Sequence, residues 1–178
     1  LWSGVQVNVQ GGVNIVYEPF LTCTTPNVNA GVDKVITCSV TTLQLNGSSS
    51  TPGVSYNWVA SNGGNITAGA NTATPTVNAS GTYTLTVSLG TCTATDVALV
   101  TLNNTPPNAN AGLDKAITCA VTSVQLNGSS STSGAIFSWV ASNGGNILSG
   151  ANTATPNVNT AGSYMLTITN PANGCIAT

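Results

Sequence analysis

Five cysteines carry the most reactive chemistry in this chain, which has neither histidine nor arginine. They form no CxxC pair, and a zinc site without histidine is poorly supported. A catalytic thiol needs a neighbouring base, and none is present. Disulfides are the remaining use, and they belong to oxidising, extracellular settings. The five are Cys23, Cys38, Cys92, Cys119 and Cys175.

Charged side chains make up 3% of the 178 residues, against about 25% in an ordinary globular protein. Two lysines cannot supply the phosphate contacts of a nucleic-acid surface or the attraction to an anionic membrane. No apolar run approaches the roughly 20 residues of a membrane-spanning helix. No group of residues supports acid–base, nucleophilic, metal or cofactor chemistry, so we expect a protein that is not an enzyme. The charged residues are Glu18, Asp33, Lys34, Asp96, Asp114 and Lys115.

An internal repeat organises the chain. Residues 26–87 align without gaps on 107–168, with 43 identities in 62 positions. A module used twice in series favours spacing, display or polymerisation over one catalytic pocket. We therefore divide the chain into an N-terminal extended segment (1–25), a first module (26–106) and a second module (107–178).

The repeat also relates the cysteines, because Cys38 and Cys92 match Cys119 and Cys175. Pairing within each copy would close two loops of similar length, and Cys23 would be the odd cysteine, available for a link between subunits. Cys38 and Cys92 are nevertheless expected at opposite ends of a module, too far apart for a bridge. Bridges across module or subunit junctions therefore stay open.

Short strands separated by Gly, Asn and Ser turns recur about every ten residues, which is typical of a β-sandwich. In the first module we predict strands near 33–37, 42–47, 54–60, 75–78, 82–88 and 95–102. Alternation predicts that Trp58 and Trp139 are core residues of a central strand rather than sugar-stacking platforms. Each has an aromatic neighbour two residues earlier on the same face, Tyr56 and Phe137 respectively.

Other polar motifs are weaker. Asp33 and Asp114 could each contribute to a calcium site, but one carboxylate per module favours a turn aspartate that accepts backbone amides. A nearly uncharged surface promotes association, which either assembly or covalent glycans would offset. Five positions match the N-glycan acceptor pattern, as chance alone would produce in so Asn-rich a chain. They are Asn46, Asn65, Asn78, Asn103 and Asn127.

The two ends of the chain complement each other. The first module continues past Cys92 into the strand 96–102, whereas the second stops three residues after Cys175 and so lacks its last strand. The N-terminal segment has two alternating stretches that need a sheet to join. An open sheet edge is a template for such a strand. The candidate donor side chains are Val5, Val7, Val9, Val13, Ile15 and Tyr17.

Three arrangements would satisfy this pattern. The segment could enter the second module of a neighbouring copy, and such a head-to-tail contact builds a filament. The chain could instead be a piece cut from a longer repeat array. The segment could also fold back onto its own second module, which requires the linker to reverse.

The motifs Asn-Ala-Gly-Leu-Asp-Lys-Ala-Ile-Thr-Cys (110–119), Phe-Ser-Trp (137–139) and Asn-Gly-Cys-Ile-Ala-Thr (173–178) resemble the PKD-like, immunoglobulin-like repeats of Bacteroidota surface proteins and adhesins. The resemblance covers 26–178 and implies a pair of tandem immunoglobulin-like β-sandwiches at a bacterial cell surface. The family usually supplies a last strand after Asn-Gly-Cys, from which the second module departs.

We therefore expect a subunit of an extracellular bacterial filament that polymerises by strand donation. The alternatives are a stalk or adhesive segment that binds a surface ligand, and an accessory carbohydrate-binding module.

Overall fold

A computed structural model describes residues 23–178, which are all-β and contain no helix. The candidate donor residues Val5 to Tyr17 therefore lie outside the described residues. The strands of the first module are β1 (Lys34–Thr37), β2 (Leu43–Gln44), β3 (Ser55–Ser61), β4 (Ile66–Ala68), β5 (Thr76–Val77), β6 (Gly81–Leu89) and β7 (Cys92–Asn103). Those of the second are β8 (Val124–Gln125), β9 (Ile136–Ser142), β10 (Ile147–Ser149), β11 (Asn157–Val158), β12 (Ser163–Thr169) and β13 (Ile176–Ala177).

The first module has two sheets, with strand orders β1-β7-β6-β3 and β2-β5-β4. β1 runs parallel to β7, and all other pairs are antiparallel. Just before β1, Asn29 bridges to Ser48 near β2, so the chain contacts one sheet and then crosses to the other. Gly31 lies at this crossing with φ +84°, and a Cβ there would lie 2.6 Å from the Asn46 carbonyl oxygen. Only glycine accommodates both constraints.

Alternation along β6 builds the core of the first module. Tyr83, Leu85 and Val87 are buried while the intervening Thr and Ser side chains are half-buried. They pack with Trp58 from β3 and with Ala98 and Val100 from β7. A fully buried valine contributes about 1.5–3 kcal/mol, so Val100 makes the inward face of β7 a substantial part of the core.

The second module repeats this plan with a shorter final strand. Its sheets have the orders β13-β12-β9 and β10-β11-β8. β13 comprises two residues, whereas β7 comprises twelve. Residues 115–118, which match β1, are not a strand. Because β1 pairs with β7, the loss of its counterpart follows from the shortness of β13.

Two disulfides connect Cys23 to Cys92 and Cys38 to Cys175, and Cys119 is free and exposed. The predicted pairing within each copy is therefore wrong, and the odd cysteine is Cys119 rather than Cys23. The reason is strand geometry. Thr37 pairs with Asn103 at the end of β7, whereas Cys92 begins that strand. Cys38 and Cys92 thus lie at opposite ends of the sheet, as the geometric objection above anticipated.

The junction between the modules is built on the β12–β13 hairpin. Asn173 is 1% exposed, and its amide nitrogen donates to Asn103 Oδ1 at 3.0 Å and to the Thr105 carbonyl at 2.9 Å. Its own carbonyl accepts from the Ser39 backbone N–H. Together with the Cys38–Cys175 bridge, these bonds hold the hairpin of the second module against the end of the first.

Candidate functional site: an open groove in the second module

The free edge of β12 is the first feature of the site. β9 pairs with β12 along its whole length, but on the other side β13 pairs only with Ile168 and Thr169. Within the described part of the chain, residues 163–167 have no strand on that side. Their counterparts in the first module, 82–86, pair with residues 95–99 of β7. Unpaired backbone groups at a sheet edge are sites for the addition of a strand.

A groove of about 520 Å³ lies beside this edge. Leu126, Trp139 and Val158 from the core line it, with Ile117 and Tyr164 at its sides. Core residues that are buried in the first module are opened here: Ala30 is buried but its counterpart Ala111 is exposed. The groove is thus the interior of a sandwich whose covering strand is shortened.

In the first module β7 fills this position. Ala98 and Val100 point into the core and are 0% and 1% exposed. Tyr83, beside them, is 0% exposed, whereas its counterpart Tyr164 is half-buried. An occupant of the groove must therefore supply apolar side chains at two alternate positions.

In the first module, two carboxylates bind β7 to residues 30–33, where the chain crosses from one sheet to the other. Asp96 Oδ2 accepts from the Ala30 backbone N–H, and Asp33 Oδ1 accepts from the Leu99 backbone N–H, both at 2.8 Å. The hydrogen bonds from the N–H groups of Ala30 and Val97 lower the pKa of Asp96 below its ordinary value. Asp33 was considered above as either a calcium ligand or an acceptor of backbone amides, and it accepts the backbone N–H of Leu99.

The matching groups of the second module have no such partners. Asp114 is exposed, and among the described residues neither its carboxylate nor the Ala111 N–H makes a hydrogen bond. Thr160 Oγ1 is buried at the groove wall and has no hydrogen-bond partner within 23–178. The groove therefore offers one donor, the Ala111 N–H, and one acceptor, the Asp114 carboxylate. Their counterparts in the first module, Ala30 and Asp33, bind β7.

The Cys23–Cys92 bridge fixes where the N-terminal segment leaves the molecule. β7 has twelve residues, which at about 3.3 Å each span about 36 Å. Cys92 is at the start of β7, and the junction with the second module is at its end. Cys23, to which residues 1–22 are attached, therefore lies at the end of the first module that is far from the groove.

The remaining residues singled out from the sequence are structural. Trp58 and Trp139 are 2% and 4% exposed, and their ring N–H groups donate to the carbonyls of Thr72 and Thr153. Tyr56 and Phe137 are half-buried and pack against the same cores. Burial of the two indoles removes them as sugar-stacking surfaces. Residues 23–178 contain no cluster of metal-ligating side chains and no helix long and apolar enough to cross a membrane.

The sequence did not indicate the roles of Asn173 and Asp96, and for Asp33 it indicated a backbone-amide acceptor without its partner Leu99. A signal for the first was present: Cys119 and Cys175 are 56 residues apart, whereas Cys38 and Cys92 are 54 apart. The two extra residues lie in the hairpin that makes the junction. No sequence signal shows that a carboxylate bonds an amide 66 residues away.

Strand order and side-chain geometry define the class of protein. Parallel pairing of the first and last strands in one sheet, a core tryptophan on the third strand and a tyrosine corner are features of immunoglobulin-like sandwiches. In the corner, Tyr83 Oη donates to the Ala79 carbonyl and Tyr164 Oη to the Thr160 carbonyl, both at 2.6 Å. The chain comprises two tandem immunoglobulin-like modules, which confirms the predicted fold class.

Comparison with known proteins gives likenesses of fold. No family model and no curated protein matches the chain. Among solved structures it is similar to the titin I-band fragment I67–I69 (16% identity, TM-score 0.38, 88% of this chain and 64% of that one). It is also similar to extracellular domains 3–5 of Drosophila OTK (13%, 0.41, 86% and 59%) and to immunoglobulin domains 1–5 of Sidekick-1 (12%, 0.42, 86% and 37%). The chain thus spans less than two thirds of the length of each.

Two disulfides indicate an oxidising, extracellular compartment.

Proposed function

We propose that this chain is a structural subunit of an extracellular bacterial filament. In each contact, the N-terminal segment of one copy enters the groove of the second module of the next copy and completes its sandwich. The bacterial cell-surface setting is what the resemblance to Bacteroidota repeats implies. The observation that carries the proposal is the groove itself, a sandwich interior beside an unpaired strand edge.

The polarity of the two ends supports donation to a neighbour. A strand that follows the direction of β7 would run through the groove from the junction toward the far end of the second module. Its C-terminal end would leave at that far end, where the first module of a following copy would begin. In that following copy, the Cys23–Cys92 bridge holds Cys23 at the end of the first module that would face this groove. No reversal of the chain is needed.

The same geometry disfavours completion within one molecule. The path along β7 and then β12 is about 60 Å at about 3.3 Å per residue. Val9 is 14 residues from Cys23, and 14 extended residues span at most about 50 Å. A segment that followed the direction of β7 would have to return over both modules, which is beyond this reach.

Deletion of residues 1–17 tests the proposal. We expect the full chain to form regular fibres in negative-stain microscopy and the deletion variant to stay monomeric, with both disulfides intact. A peptide of residues 1–17 should bind the deletion variant and slow amide exchange along β12. A matched peptide with Val5, Val7 and Val9 replaced by Ser should do neither. Fibres formed by the deletion variant, or a full chain that stays monomeric with a protected β12 edge, would refute strand donation.

A stalk or adhesive repeat is the second candidate, and the junction favours it. The Cys38–Cys175 bridge and the buried Asn173 hold two modules in series, as a spacer requires. In that case the same microscopy would show single particles of two modules, and the peptide would leave β12 exchange unchanged.

A further inference from the structure

We infer that the donated strand takes one register, with Ser3, Val5 and Val7 of the neighbouring copy at the positions that Asp96, Ala98 and Val100 occupy in the first module. This inference rests on the proposed function and names the part of the segment that the groove recognises.

The contacts of β7 in the first module indicate what an occupant of the groove needs. Ala98 and Val100 point inward, and the residue two places before Ala98 supplies a side-chain oxygen to the Ala30 N–H. Leu99 supplies its backbone N–H to Asp33. A matching occupant therefore needs five consecutive residues. The first has a side-chain acceptor, the third and fifth are apolar, and the fourth is not proline. The acceptor would serve the Ala111 N–H, and the backbone N–H would serve Asp114.

The lining of the groove admits a larger side chain than Ala98. Val124 lines the groove where the first module has Leu43, which is one carbon atom larger. A valine in place of Ala98 would fill the freed space, since interiors are packed to crystal-like density.

Scanning the segment for this pattern selects one register. Ser3, Val5 and Val7 supply an acceptor followed by two apolar residues at the required spacing. Registers that place Val7 and Val9, or Val13 and Ile15, inward put Val5 or Gly11 at the acceptor position, which would leave the Ala111 N–H without a partner. Filling the groove would bury this N–H, as β7 buries Ala30 in the first module, and an unmet buried donor costs about 1–3 kcal/mol, enough to set the register.

This register accounts for the rest of the pairing. Lys34 to Thr37 pair with Val100 to Asn103 in the first module, so residues 115–118 would pair in parallel with residues 7–10 of the donor. Val9 would take the place of Leu102, which is half-exposed. Residues 11–22 remain as a linker of twelve residues, long enough to span about 40 Å to Cys23 of the donor copy.

Cross-linking tests the register directly. Thr82 is the Cα partner of Leu99, so Ser163 should face Gln6 of the donor. Full chains carrying Ser163→Cys with Gln6→Cys, in a Cys119→Ser background, should form a ladder of linked subunits under oxidation. Matched chains with Asn8→Cys or Asn14→Cys should link at least tenfold less.

The outcomes separate the two proposals. A ladder from the Asn8 or Asn14 variant instead of the Gln6 variant overturns the register and leaves strand donation standing. A cross-linked monomer, or no ladder from any variant, overturns both.

A second readout concerns the acceptor. Replacing Ser3 by Ala in the peptide of residues 1–17 should weaken its binding to the deletion variant about fivefold, the equivalent of one hydrogen bond. Ser3→Asp, which copies Asp96, should restore the affinity. Equal binding by all three peptides would overturn the role assigned to Ser3.

Discussion

Tyr83 and Tyr164 show at the scale of one residue what the shortened final strand changes. Each hydroxyl donates to a carbonyl four residues earlier and accepts from the N–H of an asparagine, Asn65 or Asn146. Tyr83 is fully buried beneath β7, whereas Tyr164 borders the groove. The bonds are the same, but water reaches only the second.

Replacing each tyrosine by Phe should therefore give unequal losses. Tyr83→Phe leaves the part-buried Asn65 N–H and Ala79 carbonyl without the hydroxyl, and we expect a loss of about 1–3 kcal/mol in the free energy of unfolding. Tyr164→Phe should cost under about 1 kcal/mol, since water can replace the hydroxyl. Urea unfolding of the deletion variant measures both. Equal losses would mean that the groove is closed in solution.

Asp96 predicts an acid response. Its pKa is lowered in the folded protein, so its contribution to stability is present above the unfolded value of about 3.9 and is lost as pH falls below it. Asp96→Asn should be less stable than the parent at pH 7 and should lose less stability between roughly pH 5 and pH 2. Thermal unfolding across that range checks the sign. A mutant with the parent's full acid dependence would contradict it.

The free thiol makes a separate prediction. Cys119 is exposed and unpaired, while the other four cysteines are bridged. Iodoacetamide without a reductant should add one group to the monomeric deletion variant, and none after Cys119→Ser. Intact mass reports the count, and two or more adducts would contradict the pairing.

At the scale of elements, two segments that differ at one position take different structures. Lys-Val-Ile-Thr forms β1, whereas the matching Lys-Ala-Ile-Thr at 115–118 is not a strand. They differ by Val35 against Ala116, a small change in strand propensity, whereas β1 also has β7 as a partner. Local pattern was otherwise a good guide: β6 lies within one residue of the predicted 82–88 at each end, while β4 was missed because one half-buried and two exposed residues carry little alternation.

Amide exchange should report this difference. In the monomeric deletion variant we expect the amides of 116 and 117 to exchange at least tenfold faster than those of 35 and 36, because only the latter lie in a paired strand. Adding the peptide of residues 1–17 should slow the first set and leave the second unchanged. Equal protection of both sets in the free monomer would show that the second module is already complete.

At the scale of the whole molecule, the Cys38–Cys175 bridge and the buried Asn173 join two modules that each have their own core. A filament built from such subunits transmits force through this junction. The bridge spans 137 residues of sequence. In the chain-entropy model, closing a loop of this size contributes about 4–5 kcal/mol.

Replacing Cys38 and Cys175 by Ser should loosen the junction without unfolding either core. Small-angle scattering should show a broader distribution of module separations, and the Asn173 side-chain amide should lose protection. Cys119→Ser is the matched control and should change neither. An unchanged scattering profile for the double variant would show that the hydrogen bonds of Asn173 suffice.

The sequence alone determined the all-β class, the repeat of 26–87 in 107–168 and the buried tryptophans. These follow from alternation and repetition, which are local properties of a chain with a period of two. Tertiary structure decided the disulfide partners, the hydrogen-bond partners of Asp33 and Asp96 and the position of the groove. Each depends on which strand ends meet in space, and contacts between residues 66 to 137 positions apart leave no periodic trace in the sequence.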